Sequence, residues 1–103
     1  MNDIAEKYLE DMDIMLRQII SYQNMEYNMK KDFSKEIENL ITIFFELKNK
    51  YYNHLKTLPK KIMHHYNFYK YDYWLRTVDE NGNKQSIMFK DLTPEIIRNR
   101  KWE

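Results

Sequence analysis

Cysteine is absent from the 103-residue sequence, and glycine occurs only once. The absence of cysteine excludes a disulfide framework, a zinc ribbon and a thiol nucleophile. A single glycine excludes the glycine-rich loops that hold phosphate groups. No apolar run approaches the ~20 residues of a membrane-spanning helix, and residues 1–6 lack the basic start and apolar run of a signal peptide. We therefore expect a cytoplasmic protein with no membrane partner.

Net charge is also small, because 17 basic and 16 acidic residues leave only +1. A dedicated nucleic-acid-binding protein usually has a stronger basic bias. Residues 1–26 hold six acidic and two basic residues, a charge of −4, and the remainder carries +5. The predicted acidic surface comprises Glu6, Glu10, Asp11 and Asp13, and the predicted basic surface comprises Lys60, Lys61, Lys70, Arg98, Arg100 and Lys101. These faces are either simply solvated or steer the molecule onto a charged partner.

Helical periodicity dominates the first 58 residues. A first helix is predicted over residues 3–28, with an apolar seam at heptad spacing formed by Tyr8, Met12, Met15, Ile19 and Tyr22. A second helix, which Pro59 should end, has the seam Phe33, Ile37, Leu40, Phe44, Leu47, Tyr51, His54 and Leu58. A neighbouring row, Ile41, Phe45, Tyr52 and Leu55, widens this face, so we expect the second helix to contact two partners.

The connection between the helices is predicted over residues 28–34, where Asp32 or Ser34 can cap the second helix. Residues 59–70 fit either a short helix or a strand, and we favour a helical turn leading into extended chain. Residues 71–91 predict a β-hairpin around Asn81-Gly82, a pair typical of a two-residue type I′ turn. That turn predicts three favourable cross-strand pairs: Asp79 with Lys84, Leu75 with Met88, and Trp74 with Phe89.

A last helix should begin at Thr93, with Pro94 in its first position and a staple between Leu92 and Ile97. Arg98, Arg100 and Lys101 would then lie near its C-terminal end, where the helix dipole favours cations. These elements predict an α+β fold. We interpret residues 1–103 as one domain, in which residues 1–58 form a long antiparallel helical hairpin. Residues 59–103 would supply a β-hairpin, packed on the second helix, and the short C-terminal helix.

Catalytic and metal-binding patterns are weak. The only histidines are His54, His64 and His65, and their spacing does not suit a shared metal ion. Asp72, Glu80 and Lys84 resemble the carboxylate and lysine set of a nuclease, but turn residues and a cross-strand ion pair explain them more simply. We therefore expect no catalytic residue, no metal and no cofactor.

Aromatic residues are concentrated around the predicted β-hairpin. Tyr69, Tyr71 and Tyr73 would lie on one face of an extended chain, and Trp74 and Phe89 on the other. A small domain can cover only one of these faces, so the other should bind a partner or a second copy of the chain. The predicted partner-binding residues are Tyr69, Tyr71, Tyr73, Trp74, Arg76 and Phe89.

Three functions follow as expectations, of which the first is favoured. It is a small non-enzymatic inhibitor from a phage or mobile element, similar in kind to an anti-CRISPR protein, that occupies a surface of a host protein or nucleoprotein complex. The second is an accessory nucleic-acid-binding protein, because cations and aromatics alternate through Lys60, Lys61, His64, His65, Tyr66, Tyr69 and Lys70. The third is a small ribonuclease toxin.

Overall fold

The computed structural model describes residues 3–64, 66, 74–78, 81–99 and 101–102; for residues 74–76, 89, 101 and 102 it describes the backbone. The elements are α1 (Asp3–Met29), α2 (Ser34–Leu55), α3 (Lys60–His64), β1 (Trp74–Val78), β2 (Lys84–Met88), a 3₁₀ turn (Phe89–Asp91), α4 (Pro94–Asn99) and β3 (Lys101–Trp102). The predicted α+β class is confirmed. The chain divides into an N-terminal unit, Met1–Leu58, and a C-terminal unit, Pro59–Glu103. The single-domain interpretation stays a prediction, as does packing of the β-hairpin on the second helix.

The N-terminal unit is an antiparallel helical hairpin in which α1 packs along α2. Each helix contributes one buried row at heptad spacing, which we call the inner seam. The inner seam of α1 is Ala5, Leu9, Met12, Leu16 and Ile19, and that of α2 is Ile37, Ile41, Phe44, Lys48, Tyr51 and Leu55. The 4-3 spacing keeps both rows facing each other along the hairpin.

The predicted seams were placed too far to one side of each helix. Met12, Ile19, Ile37, Phe44 and Tyr51 are buried as expected. The remaining predicted positions are only half-buried: Tyr8, Met15, Tyr22, Phe33, Leu40, Leu47, His54 and Leu58. The apolar face of each helix is wider than the interface, so its periodicity does not determine which row lies at the centre.

The loop between the helices is held by two acidic side chains. The Glu26 carboxylate of α1 accepts the Phe33 backbone N–H at 2.8 Å, just before α2 begins. Asp32 accepts both the backbone N–H of Ser34, at 2.9 Å, and its hydroxyl. Of the two predicted acceptors, Asp32 thus binds the first N–H of α2, although the N-cap position itself is Phe33, which makes no side-chain capping bond. These bonds hold the pKa of the Asp32 carboxyl below its ordinary value. At the other end of the loop Lys30 adopts φ 53°, the left-handed conformation that commonly ends a helix.

The regular part of α2 ends at Leu55, three residues earlier than predicted. The next turns tighten, because Thr57 and Leu58 donate to carbonyls three residues back, at 3.0 and 3.1 Å. Pro59 then starts α3, and its carbonyl accepts from the N–H groups of Ile62 and Met63 at 3.0 Å. The favoured short helix is thus confirmed over residues 60–64, whereas residues 67–70 lie outside the described residues.

The sheet of the C-terminal unit has three strands in the order β2-β1-β3, all antiparallel. Its register differs by one residue from the prediction: Trp74 pairs with Met88, Leu75 with Ile87, and Val78 with Lys84. The expected Trp74–Phe89, Leu75–Met88 and Asp79–Lys84 pairs are therefore wrong. Because Val78 pairs with Lys84, Asn81-Gly82 does not form the predicted two-residue turn, and Gly82 adopts the left-handed conformation with φ 84°.

The last helix begins as predicted. Thr93 caps it, with its hydroxyl accepting the Ile96 N–H at 3.2 Å, and Leu92 and Ile97 are both buried at the staple positions. The prediction that Lys101 lies at the C-terminal end of this helix is wrong, because α4 ends at Asn99. Lys101 belongs to β3, which pairs with Thr77 and Val78 of β1. This strand was not predicted, because a two-residue pairing with a distant segment leaves no local pattern.

Candidate interaction surfaces

The two faces of the sheet differ in burial at the end of β1, although each face carries exposed residues of β2. Thr77 is fully buried, and its hydroxyl lies 3.4 Å from the Gln85 carbonyl across the strand pair. Its neighbour Val78 is half-buried, and the two exposed β2 residues on that same face are Lys84 and Ser86. Since side chains alternate along a strand, positions 74, 76 and 78 share a face with positions 84, 86 and 88. We call these six positions the outer sheet face.

Two predicted partner-binding positions fall on the outer sheet face. The register places Trp74 beside Met88 and Arg76 beside Ser86. Phe89 lies beyond the end of β2, in the 3₁₀ turn, and so does not pair with Trp74. The other predicted residues, Tyr69, Tyr71 and Tyr73, lie outside the described part of the chain, as do the side chains of Trp74, Arg76 and Phe89. The backbone positions of Trp74 and Arg76 thus lie together on the outer sheet face, whereas a shared surface with the three tyrosines stays a prediction.

A second apolar surface runs along one side of the helical hairpin. On α2 it forms a row at heptad spacing, which we call the outer seam: Glu36, Leu40, Ile43, Leu47, Lys50 and His54. Leu40 and Leu47 are half-buried, and Ile43 remains 42% exposed. Tyr8 and Tyr22 of α1 lie on the same side, where their rings pack against His54 and Phe33 with centroids 6.3 and 5.2 Å apart. Most of these residues formed the predicted seams.

A groove of about 480 Å³ lies on this side of the hairpin, near its loop. Its apolar lining comes from Tyr22, Met25 and Leu40. Its polar lining comes from Gln18, Ser21, Glu36 and Asn39. Glu36 is the one ionisable carboxylate in this lining.

The predicted acidic surface on α1 is partly neutralised by neighbouring cations. Lys7 contacts Asp11 and Arg17 contacts Asp13, each at 3.0 Å, and all four side chains are at least partly exposed. The hydrogen bond and charge of Asp11, with a smaller contribution from Glu10, raise the pKa of the Lys7 ammonium. Exposed ion pairs of this kind contribute little to stability, and here their main effect is to weaken the negative field of the helix.

The predicted basic surface is described in part. Lys60 and Lys61 are exposed on α3, and His64 is exposed at its end. Arg98 is exposed on α4 and lies 3.8 Å from Glu95. Lys101 is described as backbone only, within β3, whereas Lys70 and Arg100 lie outside the described residues. Of the predicted basic surface, the described residues therefore bring together Lys60 and Lys61 on α3.

Lys48 is a feature that the sequence reasoning missed. It occupies the inner seam of α2 and is only 8% exposed. Its ammonium lies 5.5 Å from the centre of the Phe45 ring, within the range of a cation–π contact. The signal was present, because the row Ile41, Phe44, Lys48, Tyr51 keeps heptad spacing through the lysine, and a lysine stem can pack along apolar surface.

Among the described residues, no group of three or more histidine, aspartate or glutamate side chains is placed to hold a metal ion. In the same part of the chain, no helix has the length and apolar character needed to cross a membrane. A scan against protein-family models matches no family, and searches of curated proteins and solved structures return no match.

Proposed function

We propose that this chain is a non-enzymatic binding protein that occupies a surface of a partner protein or nucleoprotein complex through its outer sheet face. The observation that carries the proposal is the register of β1. Positions 74 and 76, a tryptophan and an arginine, alternate with the fully buried Thr77 and pair with Met88 and the exposed Ser86. Tryptophan and arginine are the residue types most enriched at the energetic centres of protein interfaces.

The surroundings of these two positions suit recognition. β1 is the middle strand and pairs on both sides at Thr77 and Val78, which fixes the backbone next to Arg76. Rigid elements hold binding residues more accurately than loops do. Ser86, opposite Arg76, is small and polar and so leaves room for a partner. Tyr69, Tyr71 and Tyr73 precede the strand directly and would extend the aromatic surface.

Within this class, we favour a cytoplasmic inhibitor from a phage or mobile element that blocks a host machine, as anti-CRISPR proteins do. The support for this finer proposal comes from the sequence alone: the chain is 103 residues long, has no cysteine, and carries 16% aromatic residues without a catalytic motif. A protein that acts only by occupying a surface needs nothing more. The step from these features to a phage inhibitor is an analogy.

The experiment compares the wild-type chain with Trp74→Ala and Arg76→Ala in affinity capture from host lysate. The captured partner is then purified and titrated by calorimetry. Each variant should weaken the Kd at least about tenfold, the usual effect of losing an interface anchor. Gln85→Ala is the matched control, because Gln85 is an exposed residue of β2 on the other face. Unchanged affinity in both variants, with circular dichroism like the wild type, would contradict the proposal.

Nucleic-acid binding is the second candidate, and the exposed group Lys60, Lys61 and His64 on α3 favours it. A gel-shift titration of the wild-type chain with single-stranded RNA over a range of salt concentrations tests this alternative. Affinity that falls steeply with salt and is lost in Lys60→Ala/Lys61→Ala would support it over the protein-binding proposal. The same RNA, incubated and sized afterwards, tests the third candidate, since shortening of the RNA would identify a ribonuclease.

A further inference from the structure

We propose that two copies of this chain pair through the outer seam of α2, side by side with the adjoining row of α1, to form an antiparallel four-helix bundle. The proposal concerns the N-terminal unit, and the partner-binding surface proposed above lies in the C-terminal unit. A second copy is thus the occupant of the apolar side of the helical hairpin.

Each position of the outer seam of α2 comes one residue before a position of the inner seam, so that Leu40 precedes Ile41, Ile43 precedes Phe44, and Leu47 precedes Lys48. Consecutive residues of a helix are rotated by about 100°. The middle of the helix thus carries a second apolar group, Leu40, Ile43 and Leu47, roughly at right angles to the inner seam, with polar residues at both ends of that row. This is the arrangement of a helix in a four-helix bundle, where each helix packs against two neighbours.

On the same side of the hairpin, α1 carries a partly apolar row one position before its inner seam. This row consists of Ile4, Tyr8, Asp11, Met15 and Gln18, of which Ile4 remains 57% exposed and Asp11 is paired with Lys7. The contact between Tyr8 and His54 shows that this row and the outer seam share one side of the hairpin. One row on each helix is thus used internally, and the adjoining rows keep exposed apolar surface at Ile4 and Ile43, as in half of a bundle.

The side of the hairpin is also large enough for a dimer interface. α1 has 27 residues, a length of ~40 Å at 1.5 Å per residue. Two helices packed 8–10 Å apart present a side ~20 Å wide. The footprint of this side is therefore at most ~800 Å² per copy, which is large enough to hold an interface of standard size.

Charge on the outer seam favours a second copy in antiparallel orientation. Glu36 and Lys50 are both exposed and lie at equal distances along the helix on either side of Ile43. When two α2 helices cross antiparallel near Ile43, Glu36 of each copy comes within about one helical turn of Lys50 in the other. A parallel crossing would instead place like charges together. The two-fold axis makes each favourable pair occur twice.

The test is sedimentation equilibrium of the full chain up to about 1 mM protein. We expect a dimer in the wild type, and at least about 30-fold weaker association in Ile43→Glu, which places a charge at the centre of the interface. Asn49→Glu is the matched control, because it adds the same charge at an exposed α2 position outside the seam and should leave the dimer intact. Circular dichroism at low concentration verifies that each variant folds.

Charge reversal identifies the occupant as a second copy. Glu36→Lys and Lys50→Glu should each weaken the dimer, and the double variant should restore it, because only self-pairing places both residues across one interface. A monomeric wild type, or a dimer insensitive to Ile43→Glu, would overturn the proposal and leave the seam to a different protein. The outcome is independent of the proposed function, because Trp74→Ala should remain dimeric and Ile43→Glu should still bind the captured partner.

Discussion

The two units of this chain reach their folds by different means. The N-terminal unit relies on repetition, since two long helices keep one apolar spacing over their whole length and bury a row from each. The C-terminal unit relies on single local features: a capping hydroxyl at Thr93, one left-handed glycine at Gly82, and three short strands. We therefore expect substitutions in the N-terminal unit to lower its stability most at the centre of the inner seam. In the C-terminal unit, we expect the most destabilising substitutions at the turn and at the Thr93 cap.

The largest effect is expected at Phe44, which lies in the inner seam and is fully buried. Phe44→Ala should lower the free energy of unfolding by about 3–5 kcal/mol, because it removes a buried ring and leaves a cavity. Urea unfolding followed by helical circular dichroism measures the loss. Thr42→Ala, two positions away and exposed, is the control and should change stability by no more than about 0.5 kcal/mol. Equal effects in the two variants would show that the inner seam is not the core of the unit.

The corresponding test in the C-terminal unit is Gly82→Ala. Gly82 has φ 84°, and a Cβ added there would meet no atom within 4 Å. The cost should therefore come from the backbone alone, about 1–2 kcal/mol, because residues with a Cβ avoid this conformation. Thermal unfolding monitored by tryptophan fluorescence reports on this unit, which contains Trp74 and Trp102. If Gly82→Ala lowered the free energy of unfolding more than Phe44→Ala does, the C-terminal unit would be the more sensitive of the two, contrary to our expectation.

Sequence reasoning succeeded where a feature is repeated or strictly local. The two long helices, the Thr93 cap and the bond from Asp32 to the first N–H of α2 each depend on neighbouring residues, and all were predicted. The register of the sheet was missed by one residue, although three pairs looked favourable in the predicted register. Charged, aliphatic and aromatic residues are distributed along both strands, so a slipped register also finds plausible pairs, and the turn conformation decides between them.

For the candidate surfaces too, the sequence indicated the residue types, whereas their grouping depends on contacts between distant segments. The sequence indicated that α2 has a wide apolar face with heptad spacing, but the two rows predicted on it mixed positions of the inner and outer seams, and only the packing separates them. The sequence also indicated Trp74 and Arg76, but their place on the outer sheet face depends on the register with β2 and on the burial of Thr77. Non-local pairing, which no sequence window contains, supplied the missing information in both cases.

A stabilising change is expected in the loop of the N-terminal unit. Lys30 adopts φ 53° just after α1, and its N–H donates to the Glu26 carbonyl at 3.0 Å. Lys30→Gly should raise the free energy of unfolding by up to about 1 kcal/mol, since glycine is the residue most often found at this position. Lys31→Gly is the control, because Lys31 is exposed and has no positive φ, and it should give no gain. Urea midpoints of the two variants compare directly, and a gain in both would indicate general loop flexibility instead.

The smallest effect should come from the titration of Asp32 at the start of α2. Its pKa is lowered in the folded chain by the hydroxyl and N–H of Ser34, so folding favours the charged carboxylate. The contribution to stability is therefore fully present above the ordinary aspartate pKa and is lost as the pH falls through the lowered, folded-state pKa. Asp32→Asn should remove this part of the acid dependence and leave a flatter stability profile at acid pH. Thermal unfolding at a series of pH values below neutrality measures it, with Asp91→Asn, an exposed aspartate in the C-terminal unit, as the control. The prediction would be wrong if Asp32→Asn left the dependence of stability on pH unchanged while Asp91→Asn flattened it. The acid-sensitive carboxylate would then lie in the C-terminal unit and not in the helical loop.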